Sequence, residues 1–220
     1  MDLFISAADP HALLGIAAVA LGMVLTPGPN MIYLVSRSIA QGRRAGLVSL
    51  VGVATGFLVY LGAVTVGVAA VFTVVPVLYT AIKLTGAGYL LWLAWKAVKP
   101  GGAPVFAPQQ LPHDSPRKLF GMGFLTCLLN PKIAIMYLSL LPQFVDPARG
   151  HVAAQSLVLG LAQIVVAVTV NGLIAASAGS IASFLNRRPA WLRIQRYAMG
   201  TVLGGLALHI AADRAKAVAV

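Results

Sequence analysis

Residues Leu25–Asn30 read "LTPGPN" and sit inside an apolar run from Ala12 to Tyr33. Pro27 and Pro29 each lack a backbone N–H, and in a helix interior each ring would clash with the carbonyl four residues earlier. Gly28 between them favours irregular backbone. The run is long enough to cross a bilayer, which takes about 20 apolar residues. A broken backbone at that depth is tolerated only when it is buried in protein or lines a wet cavity, because lipid offers the freed carbonyls no partner. A second break, "LLNPK" at Leu128–Lys132, places Pro131 at 102 positions beyond Pro29.

Working outward, the apolar character extends over the whole chain. Of 220 residues, 59% are hydrophobic and 10% charged, with a mean hydropathy of +0.88. A soluble domain carries about a quarter charged residues, so the composition is that of an integral membrane protein. Six runs are candidates for spans: 12–39, 46–72, 76–95, 119–144, 152–184 and 194–212. The N-terminal stretch "MDLFISAADPH" contains no Lys or Arg, so it lacks the basic start of a cleaved signal peptide, and the first span is expected to remain.

The net charge of +11 does not point to nucleic acid, because the basic residues cluster between apolar runs. Arg37, at the end of the first run, and Arg43 and Arg44 belong to the first loop; Lys96, Lys99, Arg117 and Lys118 belong to the third; Arg187, Arg188 and Arg193 belong to the fifth. The loop after the second run has no charge, and that after the fourth has only Asp146 and Arg149. Excess Lys and Arg mark cytoplasmic loops. Odd-numbered loops are therefore expected inside and both termini outside.

The proline-rich stretch "KPGGAPVFAPQQLPHDSPRK" divides the chain into alike halves. "IKLTGAGYLLWLAW" from Ile82 resembles "IQRYAMGTVLGGLAL" from Ile194, just as the two proline motifs correspond. The expected organisation is a first three-helix repeat over 1–98, a cytoplasmic linker over 99–118, and a second repeat over 119–220. Three spans per half insert the second half upside down. The expected fold is thus an all-α membrane protein of six transmembrane helices in two inverted repeats, with Pro-broken first and fourth helices. Interrupted helices at matching places in inverted repeats point to a transporter binding site near the midplane.

The segments "TPGPNMIYLVSRSIAQGRRAGLVSLVGVATG" from Thr26, "IKLTGAGYLLWLAW" from Ile82 and "GFLTCLLNPKIAIMYLSLLPQFVDPARG" from Gly123 resemble the lysine exporter (LysE/RhtB) family of bacterial amino-acid exporters. The resemblance covers most of the chain and is strongest at the two proline motifs. It implies a secondary transporter of the bacterial inner membrane that exports amino acids or close derivatives, driven by the proton-motive force with the proton as coupling ion.

The substrate-binding candidates follow from the breaks. Pro27, Gly28, Pro29, Asn30 and Tyr33 belong to the first, and Asn130, Pro131, Lys132 and Tyr137 to the second; Lys83 lies in the third span. Asn30 and Asn130 can hydrogen-bond freed carbonyls or contact a substrate. Lys132 is the only charge between Lys118 and Asp146, and an intramembrane charge is by default a functional one. It can pair with a substrate carboxylate or support the broken helix by donating to exposed carbonyls, and the residues alone leave both open. Lys83 can face a site or snorkel outward. The tyrosines can equally be packing residues with satisfied hydroxyls.

All five acidic residues, Asp2, Asp9, Asp114, Asp146 and Asp213, lie outside the spans, and the fifth span offers only Gln163, Thr169 and Asn171 as large polar groups or hydroxyls of note. A dicationic substrate would need its side-chain charge met; a zwitterion asks less. The expected substrate is therefore a small neutral amino acid. The alternative is a membrane thiol-redox or metal-ion carrier of similar inverted-repeat architecture. A thiol carrier needs two cysteines, and Cys127 stands alone; a metal carrier needs clustered ligands, yet His11, His113 and His151 lie in loops. No enzyme motif is present and no cofactor is expected. Gly52 and Gly56, like Gly200 and Gly204, have the small-xxx-small spacing that permits close helix contact, within one chain or across a homodimer.

Overall fold

A computed structural model describes residues 9–74 and 113–186 throughout, with isolated positions in 84–99 and 197–208. Lys83, His209 and most of the third and sixth expected spans lie outside the described residues. The described residues are all helical apart from their connections. The order is α1 (Pro10–Leu25), α2 (Pro29–Gln41), α3 (Arg43–Val74), α4 (Pro116–Leu128), α5 (Pro131–Ile135) and α6 (Val152–Asn186). A π-helical turn (Met136–Leu140) and a 3₁₀ turn (Leu141–Phe144) continue α5, and a second 3₁₀ turn (Pro147–Arg149) precedes α6.

Both expected breaks are present. α1 and α2 meet at 55°, and α4 meets the α5 segment at 51°, each pair long and apolar enough to make one crossing. With α3 and α6, which qualify alone, the described residues supply up to four spans. At 1.5 Å per residue, α3 and α6 run to about 48 and 52 Å, longer than the ~30 Å hydrocarbon layer. α4 starts at Pro116: Ser115 caps it by accepting from Lys118 N at 3.4 Å, and Pro116 takes the first helical position, where a missing N–H costs nothing.

Pro29 and Pro131 likewise occupy first helical positions, so they start new half-helices rather than kink a continuous one. Pro142 has the opposite effect. It sits past the π turn, where its ring and missing N–H spoil the regular register upstream, and Gln143 Nε2 repairs part of the damage by donating to Ser139 O at 2.8 Å.

The interior joins both halves. Ile16, Leu34, Phe57, Tyr137, Leu140 and Leu159 are fully buried in one cluster, while Val66 and Leu129 are 78% exposed, as lipid-facing side chains are. α3 packs on α4 and α6, and α1 on α6. The α3–α4 contact is backbone on backbone: a Cβ on Gly52 would lie 2.1 Å from Phe120 O, and one on Gly123 2.3 Å from Ser49 O. A Cβ on Gly56 would lie 2.6 Å from Cys127 Cβ. The Gly52/Gly56 spacing thus serves a contact within one chain.

Two ion-pair groups mark the ends of the bundle. Asp9, before α1, lies 3.6 Å from Arg149 in the connection to α6. At the other end Asp114 pairs with Arg37 of α2 and, at 2.6 Å, with Lys118 of α4.

Candidate functional site

A helix that stops inside the bundle leaves four carbonyls without partners, and the next leaves four N–H groups. Here side chains of the breaks and of α3 meet some of these groups. Asn130, the N-cap of α5, accepts from Lys132 N at 3.1 Å through Oδ1, while its Nδ2 donates to Asn30 Oδ1 at 3.0 Å across the two halves. Lys132 Nζ reaches back to the end of α1 and donates to Thr26 O at 2.5 Å. Thr26 Oγ1 donates to Gly22 O at 2.8 Å, and Tyr60 Oη donates to Leu128 O at 2.8 Å. Asn30, Asn130, Lys132 and Thr26 are all at most 5% exposed.

By position in the half-helix, Asn130 corresponds to Gly28, the N-cap of α2, and Lys132 to Asn30. α2 thus has no capping side chain. The Lys132 stem fills the space instead: a Cβ on Gly28 would lie 3.3 Å from Lys132 Cδ.

Beside this junction is a cavity of about 30 Å³. Gly28, Asn30, Asn130 and Lys132 line it, together with Thr26 and, from α6, Gln163, Ala167 and Asn171. Met23, Met31, Phe57, Ile133 and Met136 form its apolar walls. That volume holds about two water molecules. No carboxylate lines the cavity, and no group of three His, Cys, Asp or Glu residues suited to a metal occurs among the described residues.

The other candidates stand back from the cavity. Pro29 and Pro131 are exposed on the outside of the junction, and Pro27 is half-buried in the break. Tyr137 is buried behind the wall, where its ring stacks on Tyr60 at 5.5 Å and its hydroxyl donates to Gln163 Oε1 at 2.7 Å. Tyr33 points toward the basic end and donates to Leu119 O at 2.8 Å. The two tyrosines follow their prolines by four and six residues, and that difference of about half a helical turn sends them to different neighbours.

Thr26, Gln163 and Asn171 are the lining polar groups that the motifs did not single out. The signal for the α6 pair was present: Gln163, Ala167 and Asn171 are spaced every four residues and so share one face of a mostly apolar helix. Asn171 Nδ2 donates to Ala167 O at 2.9 Å, which leaves its Oδ1 as an acceptor.

Helices long and apolar enough to span a membrane, two of them broken beside a carboxylate-free cavity, fit the class of membrane translocators. The chain belongs to the LysE type translocator family, which it matches over residues 21–214. It is 31% identical over 181 residues to the homoserine/homoserine lactone efflux protein of Salmonella typhimurium, covering 81% of this chain and 85% of that one. It is 30% identical over 188 residues to the uncharacterized membrane protein YahN of Escherichia coli, covering 84% and 82%. No solved structure matches it. The protein is accordingly a membrane transporter and not an enzyme.

Proposed function

We propose that this protein exports a small neutral amino acid, or a close derivative, across the bacterial inner membrane, using the junction of the two broken helices as its binding site. The reading is carried by the cavity lining: one lysine, uncharged amides and no carboxylate. A zwitterion's carboxylate would take Lys132 and the N–H groups that start α2 and α5. Its ammonium would take Thr26 O, released as Lys132 turns away, and the amide oxygens. A second positive charge on the substrate would find no partner on this wall, which argues against lysine or arginine. The 31% identical relative is named for homoserine and its lactone, both small and lacking an acidic side chain.

In this reading Lys132 has two partners in turn. Without substrate it ties off the end of α1; with substrate bound it pairs with the carboxylate, and the cavity widens. Export against a gradient is coupled to the proton-motive force, the chain is arranged as two inverted repeats, and both termini face outward.

Binding to purified protein, normalised to the monodisperse fraction, tests this. Charge-assisted hydrogen bonds contribute on the order of 1.5–3 kcal/mol, so Lys132→Met lowers affinity for a neutral amino acid about ten- to a hundredfold. The amino-acid methyl ester, which lacks the carboxylate charge, loses less. Lys132→Arg recovers part of the affinity, because it keeps the charge in a different shape. Equal affinities for wild type and Lys132→Met would show that the lysine only props the break.

A further inference from the structure

Three independent features single out α2 as a part that moves. The first is unmet hydrogen bonding. Among the described residues four buried side-chain polar atoms lack a hydrogen-bond partner, and three of them, Asn30 Nδ2, Arg37 Nε and Ser38 Oγ, belong to this one 13-residue helix. Beside Asn30 stands the Cys127 thiol, a weak acceptor at best. All three are polar atoms without a protein oxygen or nitrogen as partner, so movement of α2 breaks no strong hydrogen bond at these atoms.

The second is the nature of the joints. α2 begins at Gly28 with no side-chain cap and ends at Gly42, whose φ of 88° lies in the left-handed region. Nothing lies within 4 Å of where a Gly42 Cβ would be. A few element-terminal residues that absorb changes in φ and ψ are what a hinge needs.

The third is the contrast between two seams. α3 and α4 meet backbone to backbone at Gly52 and Gly123, a contact that cannot part without exposing peptide groups. α2 packs on α3 and α6 with Met31, Leu34 and Val35 buried, but toward its C-terminal end it is held by polar groups. Tyr33 donates to Leu119 O of α4 and accepts from Ser49 Oγ of α3 at 3.1 Å. Arg37 pairs with Asp114; Gln41 Nε2 donates to the same carboxylate at 3.2 Å, and Gln41 Oε1 accepts from Asp114 N at 2.9 Å. Water can replace every one of these bonds.

We propose that α2 is a gate arm turning on Gly28 and Gly42, and that the grip of Arg37 and Gln41 on Asp114 is the latch that closes the basic end of the cavity. Asp114 never touches substrate; it acts through the position of α2. The assignment rests on the exporter reading for its purpose, while the motion can be measured without transport.

The test uses Ala40→Cys on α2 and Arg117→Cys on α4 in a Cys127→Ala background, reconstituted in nanodiscs. Pulsed electron paramagnetic resonance on the spin-labelled pair is expected to show a longer-distance population that grows at least twofold with Asp114→Asn or with Arg37→Gln. The double variant adds nothing further, since both changes break one interaction. Unchanged distances in monodisperse variants overturn the latch. Should either variant fold poorly, the pair with the latch intact decides: joining the two introduced thiols with a short bifunctional maleimide is expected to abolish efflux, and efflux undiminished by the link overturns the gate. If the unlinked protein exports no amino acid, the exporter reading fails and the distance measurement still settles whether α2 moves.

Discussion

Asn130 serves both breaks with one side chain, its carbonyl capping α5 and its amide holding Asn30. Removing it costs a cap, about 1 kcal/mol, and leaves a buried acceptor unpaired, about 1–3 kcal/mol more. Asn130→Ala is thus expected to lower stability by about 2–4 kcal/mol, and Asn130→Ser, which caps well but is too short to reach Asn30, to fall between. Thermal unfolding of the detergent-solubilised proteins checks the order. An asparagine before a proline is visible in the chain, and its capping role is local. The bond to Asn30 is not, because it joins residues 100 positions apart. Lys132 shows the same division. Its intramembrane charge is plain in the sequence, but its hold on Thr26 O depends on how the two breaks are juxtaposed.

Among the elements, α3 and α4 form the closest seam. Gly52→Val would force a side chain onto the Phe120 carbonyl, where a Cβ already falls 2.1 Å away. Backbone on both sides cannot yield, so the substitution is expected to abolish most folded protein in the membrane. Gly62→Val on the same helix meets nothing within 4 Å and is expected to leave the yield unchanged. Size-exclusion profiles of the two variants, extracted in parallel, distinguish a specific seam from a general intolerance of valine in α3. Small-xxx-small spacing announced a close contact but not its partner, which only the packing of α3 on α4 supplies. The π turn after α5 was less legible still. Pro142 signals a disturbance, yet whether a helix answers by widening, tightening or ending depends on the packing around it.

At the scale of the whole molecule, loop charge and ion pairs divide the bundle into two ends. The topology is expected to leave Ala148→Cys open to a membrane-impermeant thiol reagent in intact cells and His113→Cys closed to it, both in a Cys127→Ala background. The reverse pattern would invert the protein. The same end-to-end difference bears on pH. Hydrogen bonding from Lys118, then from Gln41, with the nearby Arg37 charge, holds the Asp114 carboxyl below its ordinary 3.8. A depressed pKa contributes stability that is complete above the unfolded value and is lost as pH falls through the folded one. The clasp therefore stays charged across the neutral range and fails only in acid, below the ordinary carboxylate range. The loss of thermal stability on Arg37→Gln is accordingly expected to be the same at pH 8 as at pH 6. A latch of this kind yields to movement of α2, not to the proton gradient.

What the sequence determined by itself follows from interactions that are local or that involve the solvent. Apolar runs long enough for a bilayer, basic loops and prolines at first helical positions act over a turn or two, or against lipid and water, so the helical membrane class and both breaks could be read from the chain. Tertiary structure decided what faces what. Asn30 meets Asn130, Lys132 meets Thr26, Gln163 and Asn171 complete the cavity wall, and Tyr33 and Tyr137 part company. The physical reason is that a mostly apolar helix has too weak a polar face to fix its rotation: in α3 and α6 rotation is set by where glycines allow close approach and where buried amides and hydroxyls find partners.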